Sequence, residues 1–281
     1  MENRAYPFMK WVTGGGRIPA ACVLIVMLIG PGVAEASKKK APKPVAPPIS
    51  DLPNYVSFHA WQLRGKHPDE SGEIAGKIEK AVLDHMQEWF AADPAHAESV
   101  AARRELERIF FNLKYPTEAK PSCFDQPWKG STLVGVGYTL SWTNYNRSSV
   151  LALFEKSAGK VRLATVTHFI PMVDLRYEFH PPVDSEDFWF FAWGERPGKS
   201  QQRLSAVLYD FNGQDVKSLW ETRDAYDGRL LIGEKKVVVR YLREDEYIRE
   251  QSHGRKPPRH EATYLITSKG LELESDREIP F

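Results

Sequence analysis

Disulfides are almost excluded by composition. The 281 residues hold two cysteines, Cys22 and Cys123, and Cys22 lies in an N-terminal stretch with the anatomy of an export leader. If residues 1–36 are removed, Cys123 stands alone and no intrachain bridge can form. It then reads as a small buried hydrophobe. Long apolar runs are missing too. The longest, Ala20 to Ile29, is well short of the ~18–20 residues that a bilayer-spanning helix needs. A basic excess is also lacking. With 38 Lys+Arg against 37 Asp+Glu, removal of residues 1–36 leaves a net charge of zero, and about −4 once the lysines at 38–40 and 43 are set aside. That balance argues against a nucleic-acid ligand, which calls for a basic face.

Catalytic signatures are equally scarce. No serine stands in a Gly-x-Ser-x-Gly elbow, and no glycine-rich phosphate loop opens a helix. The histidines are scattered, without a His-x-His or His-Glu-x-x-His pattern. Neither a metal nor another cofactor is expected. Asp210-Phe-Asn-Gly-Gln-Asp215 superficially resembles a calcium loop, but the acids are wrongly spaced. Asn212-Gly213 between apolar runs predicts a hairpin turn instead.

What is present begins with Arg4, Lys10 and Arg17, then the apolar run, then Gly30-Pro31-Gly32 and Ala34-Glu35-Ala36. A basic start, a short greasy stretch and small residues two apart predict a secretory signal peptide over 1–36, cut after Ala36. The expected location is periplasmic or secreted. Lys38, Lys39, Lys40 and Lys43 just past the run resist translocation, so the alternative is an uncleaved single-span anchor from Ile18 to Ala34. Membrane contact is expected only in that case. Residues 37–53 are a Lys/Pro-rich linker, extended and polyproline-like.

A helical region is expected over 54–129. Ile74, Ile78, Ala81, Val82, His85, Trp89 and Phe90 recur at three- and four-residue steps, with Asp69 or Ser71 as cap. Asp93-Pro94 closes this helix and opens a second, whose stripe is Val100, Leu106, Ile109, Phe110 and Leu113. The two form a helical hairpin over about 68–115.

From Leu133 the apolar period becomes two. Strands are expected at 133–140, 150–154, 161–167, 188–193, 204–209, 216–220, 230–232, 237–242, 262–266 and 271–274, with turns at Asn212-Gly213, Asp227-Gly228, Gly233-Glu234 and Lys269-Gly270. A weak repeat of strand, turn glycine and strand centres on Gly159, Gly213 and Gly270. The fold class is α+β: the helical hairpin packed on an antiparallel, blade-like β-meander over 130–281, an incomplete propeller-like or barrel-like sheet. The charged stretch from Arg240 to Arg259 reads as an exposed hairpin excursion, with a partner-docking arm as its functional alternative.

Phe188-Trp-Phe-Phe-Ala-Trp193 is the densest feature. Alternation puts Trp189, Phe191 and Trp193 on one face. With Trp220, and with Trp128 and Trp142 as extensions, they are the candidate ligand platform, since aromatic rings offer rigid area for a sugar or peptide. The alternative is a strand buried on both faces. The expected function is a non-catalytic exported module that binds a glycan, a peptide or an envelope protein. The alternative is a hydrolase-like enzyme with a cleft near His168, His180 and Asp187, where Asp174, Asp184 and Glu186 are neighbours in sequence.

Overall fold

In a computed structural model of the chain, the apolar stripe predicted over 74–90 becomes the buried face of a long helix. The structure describes residues 44–143, 146–170, 172–181, 187–196, 202–222 and 225–280. The predicted leader and its cleavage site, residues 37–43 of the linker, Asp184 and Glu186 lie outside the described residues. No helix among the described residues is long and apolar enough to cross a membrane.

Among the described residues, three α-helices precede the sheets: α1 (Leu52–Gln62), α2 (Pro68–Ala92) and α3 (Ser99–Phe110). Ile78, Ala81, Val82, Met86 and Phe90 of α2 and Ala102, Leu106, Ile109 and Phe110 of α3 enter one core. Val100 does not; it is exposed. Asp69 and Ser71 lie inside α2, not at its cap, which falls on His67 without a side-chain bond. Asp93 accepts a 2.9 Å bond from the Ala95 amide, as the Asp-Pro signal predicts, but opens a single 3₁₀ turn, Pro94–His96. The start of α3 is held from a distance: the Asp125 carboxylate accepts from the Ser99 amide at 2.8 Å and from its hydroxyl at 2.6 Å. A carboxylate there satisfies an orphan N–H and complements the helix dipole.

Among the described residues, twelve antiparallel strands form two open sheets. The four-stranded sheet has the order β1 (Glu118–Trp128), β2 (Ser131–Ser141), β3 (Arg147–Ser157), β4 (Lys160–Phe169). The eight-stranded sheet contains β5 (Val173–His180), β6 (Phe188–Arg196), β7 (Arg203–Phe211), β8 (Val216–Glu221), β9 (Ala225–Ile232), β10 (Lys236–Leu242), β11 (Arg259–Thr267) and β12 (Gly270–Ile279). Its order is β12-β11-β10-β9-β7-β6-β5, with β8 paired to β7. All ten expected strands are present, and β1 and β5 add two more. The α+β, mostly β class therefore holds, and the sheets do not close into a barrel.

Alternation on β2 and β3 builds three layers. Val134, Val136, Tyr138 and Leu140 with Val150, Ala152 and Phe154 meet the helices. Leu133, Leu151 and Leu153 point the other way, onto Phe188, Phe190, Val207, Tyr209 and Phe211 of the second sheet. Each layer thus buries its apolar side against the next. All three repeat units are hairpins (β3–β4, β7–β8 and β11–β12) but they belong to two sheets, not to radial blades. The first two share a β-bulge at matching places, Leu153/Phe154 and Leu208/Tyr209.

Two turn expectations are corrected. Asp227-Gly228 is not a hairpin; it is a kink inside β9, with Asp227 at φ +44°. A Cβ on Gly228 would lie 2.5 Å from Leu204 Cβ, and it is there that β9 crosses onto β7. The charged excursion is also structured, because Glu244–Ser252 forms helix α4. Its acids act locally: Glu244 bonds Arg203 at 2.9 Å, and Glu246 bonds buried His260 at 2.6 Å.

Candidate functional site

The four predicted platform residues sit on one face of the second sheet, but that face is covered. Trp189 is 3% and Phe191 1% exposed. Both pack with Leu208 and Val237, and Trp193, Trp220, Leu230, Ile232, Tyr264, Ile266 and Leu271 close around them. The physical cause is curvature: β9 to β12 fold back over β6 and β7, so the tryptophan face becomes a core. Trp193 and Trp220 keep partial exposure at its margin; Arg176 lies over the Trp193 ring at 5.0 Å, and Trp220 meets Tyr264 edge-on at 5.2 Å. A stacking platform needs an open ring face, which Trp189 and Phe191 do not offer. Trp142 is buried beneath the helices.

The residues grouped near a possible hydrolytic cleft separate as well. His168 is on β4 and bonds Glu79 of α2 at 2.9 Å, stapling helix to sheet. His180 ends β5 in the other sheet, and its two ring nitrogens face the carbonyl oxygens of Pro181 at 2.7 Å and Glu234 at 2.9 Å. Neither nitrogen is presented to a ligand. His180 and Asp187 do line one cleft; His168 has no part in it. Among the described residues no three His, Cys, Asp or Glu side chains converge as a metal site.

The structure brings together something the sequence did not mark. β1 is the edge of one sheet and β5 the edge of the other, and the two edges run side by side. Two clefts open along this seam and share Phe179. One, of ≈ 500 Å³, is lined by Lys120 to Phe124 of β1 and Asp174 to Tyr177 of β5, with Arg103 at its rim. The other, of ≈ 620 Å³, is lined by Gln126 to Lys129, Phe179 to Pro181 and Asp187 to Trp189.

The first cleft is chemically quiet. Lys120 is neutralised by Asp174 at 2.9 Å. The Tyr177 hydroxyl lies 3.3 Å from Ser122 Oγ, and burial pushes its pKa upward. Burial also pushes the Cys123 thiol to about 11, with the Gly137 backbone opposing. A thiol so raised is protonated at neutral pH and is not a nucleophile.

The second cleft carries more recognition chemistry. Trp128 is half-buried and tilted at 45° to Phe211 with ring centres 5.2 Å apart, and the Lys129 ammonium lies 5.0 Å from its ring centre. The β7–β8 turn closes behind it: a Cβ on Gly213 would stand 3.0 Å from Trp128 Cη2. Asn212 Oδ1 shapes that turn by accepting from the Gln214 and Asp215 amides, both at 2.9 Å. The Asp210 carboxyl, opposite Trp189 in register, is raised by burial and by the Asp187 carboxylate, while a hydrogen bond from Trp189 lowers it. Aromatic edges, an amide, a carboxylate and an ammonium thus converge on one open hollow. No protein-family model, curated protein or solved structure matches this chain.

Proposed function

We propose that this protein is an exported, non-catalytic binding module that holds a glycan in the Trp128 cleft of the β1–β5 seam. The observation that carries the reading is the lining of that cleft. Trp128, Phe179 and Phe188 give apolar ring surface, and Gln126, Lys129 and Asp187 give hydrogen-bonding groups around a ≈ 620 Å³ hollow. Binding sites for small polar ligands have this mixture of aromatic floor and few placed polar groups. The leader anatomy supports placing the module in the envelope, where glycans are abundant. Titration calorimetry with chito-, cello- and malto-oligosaccharides tests it. One series should bind, and Trp128→Ala should weaken it at least tenfold. If no series binds, or Trp128→Ala binds equally, the reading is wrong.

A hydrolytic reading is favoured by one observation, the Asp187–Asp210 coupling beside the same cleft. A carboxyl raised by burial beside a second carboxyl group is common equipment for glycoside cleavage. Release of reducing ends from a bound oligosaccharide, abolished by Asp210→Asn, would replace the binding reading with this one.

A further inference from the structure

A sheet edge presents a row of unpaired N–H and C=O groups, and proteins guard such edges against a second chain. Among the described residues, the strands with an unpaired flank are β1, β4, β5, β8 and β12. Four of these are guarded. β1 carries Pro121 and Pro127, which cannot donate to an added strand. β4 carries Lys160 and Arg162 and no acid, so a second copy of it is repelled. β12 carries Glu272, Glu274, Asp276 and Glu278 against Arg277 alone, and repels itself in the opposite sign. The outer flank of β8 lies against β12, where a Cβ on Gly270 would stand 3.2 Å from Leu219 Cβ. β5 differs from all four. It has no proline, and its bulge is confined to its first residues, between Val173 and Arg176.

The charge pattern of β5 is complementary to its own reverse. Asp174, Arg176 and Glu178 are exposed and alternate acid, base, acid, while Leu175, Tyr177 and Phe179 turn onto the core between the sheets. In an antiparallel pair, directly opposite residues share a face. A two-fold axis through Tyr177 therefore sets Arg176 of each copy opposite Glu178 of the other, brings Leu175 toward Phe179, and puts Tyr177 beside its own equivalent. Opposite charges facing each other across a ladder stabilise it, and like charges oppose it. Moving the axis by one residue sets Arg176 against Arg176, or Glu178 against Glu178, so one register is selected. Neither charge is neutralised within the chain. Among the described residues Arg176 has no carboxylate partner and lies over the Trp193 ring, and Glu178 has no cationic partner. Asp174 takes no part: Lys120 holds it at 2.9 Å, at the bulge, outside the regular ladder that runs from Arg176 to His180.

We infer that two copies of this chain associate through β5, each pairing antiparallel with the other about Tyr177, so that the two eight-stranded sheets join edge to edge. The occupant is a second copy because the match is of β5 with itself, and a two-fold contact closes on the edge it uses and leaves it no longer open. One strand pair is small beside the ~1,200–2,000 Å² of a stable interface, so the dimer is weak and depends on concentration. It forms without sugar, and Trp128 takes no part in it.

Sedimentation velocity of the full chain carrying Cys22→Ser tests this. Monomer should give way to dimer across the micromolar range. Arg176→Glu and Glu178→Arg should each weaken dimerisation about tenfold, because each sets like charges opposite one another. The combined variant, and an equimolar mixture of the two single variants, should regain it, since both again set base opposite acid. A single variant that had merely misfolded would not be rescued in the mixture. Disulfide formation then reads where the chains meet, apart from any association by the N-terminal segment. A mixture of Arg176→Cys and Glu178→Cys chains should give the mixed disulfide several-fold faster than either chain alone gives its own, because only 176 and 178 stand directly opposite, with Cα atoms ~5 Å apart. A chain that stays monomeric up to several hundred micromolar overturns the inference. So do single variants that dimerise like the parent, a mixture that shows no rescue, or a mixed disulfide that forms no faster than the others.

Discussion

Gly135 offers the sharpest test of how the seam is built. It stands opposite Phe124 in the β1–β2 register, and a Cβ there would lie 2.2, 2.4 and 2.5 Å from three carbons of the Phe124 ring. Ordinary carbon–carbon contact begins near ~3.5 Å. Gly135→Ala therefore drives the ring back by more than an ångström, out of its edge contacts with Tyr177 at 5.0 Å and Phe179 at 4.8 Å. Overpacking of a filled core costs ~1–3 kcal/mol, and loss of a buried phenylalanine ~3–5 kcal/mol. Gly135→Ala combines a clash with partial loss of the ring, so we expect about 3 kcal/mol, or roughly 6–12 °C in melting temperature for a domain of this size. Phe124→Ala alone should cost about 3–4 kcal/mol. In the double variant the new methyl enters the space the ring has left. The combined loss should then fall short of the sum by more than about 1 kcal/mol. Urea unfolding followed by tryptophan fluorescence measures all four corners of the cycle. Gly135→Ala within about 0.5 kcal/mol of wild type, or a cycle additive to that precision, would refute the reasoning.

Three further outcomes are expected. The Cys123 thiol, pushed up to about 11 by burial, should react with Ellman's reagent at neutral pH about a hundredfold more slowly in the folded Cys22→Ser chain than in urea. Its folded pKa is raised, so its stabilising contribution is complete below pH ~9 and is lost as pH rises through about 11; buried Tyr209, raised to about 12, acts in the same direction. Glu105, held below the ordinary carboxylate range first by hydrogen bonds from Arg108 and also by His85, against burial, stabilises α3 above its unfolded pKa and loses this as pH falls through the depressed value. Glu105→Gln should cost about 1 kcal/mol at pH 7, and chemical unfolding should show the gap shrinking below about pH 4. Glu244→Ala removes the acceptor for Arg203 and Tyr226; amide exchange across 244–252 should quicken about tenfold while the global melting temperature moves by only a few degrees.

Periodicity told which residues share a face, and that much of the fold was legible. The 74–90 stripe, the alternation in β2, β6 and β7, and the glycine turns at 159, 213 and 270 all correspond to observed elements. β5 was legible in principle, because Val173-Asp-Leu-Arg-Tyr-Glu-Phe-His180 alternates perfectly. β1 was harder: Pro121 and Pro127 argue against a strand, and are tolerated because β1 is a sheet edge. α1 begins inside the proline-rich linker, with Pro53 in its first turn, where a proline costs a helix nothing. α4 was masked by charge. Glu244, Asp245 and Glu246 at its start are favourable to the helix dipole, so the acidic run is a helix signal as well as a solvated one.

The candidate site was hidden for a different reason. A run such as Phe188–Trp193 shows that two faces are apolar, but what covers each face depends on pairings far away in the chain. Trp189 is closed off by β9–β12, forty to eighty residues downstream, and a one-dimensional pattern carries no record of that. The seam is likewise the meeting of two edges, β1 and β5, that lie about fifty residues apart and share no hydrogen-bonded pairing. Its local trace is the pair Gly135 and Gly137 inside an otherwise continuous strand. A Cβ at the first would strike Phe124, and at the second the Tyr177 hydroxyl at 2.8 Å and Ser122. Glycine within a strand marks close approach by another group. Here the groups are the aromatic side chains that floor the gap between the sheets. The same two glycines that weaken β2 as a strand therefore make the seam possible, and a side chain at either one would fill the cleft from below.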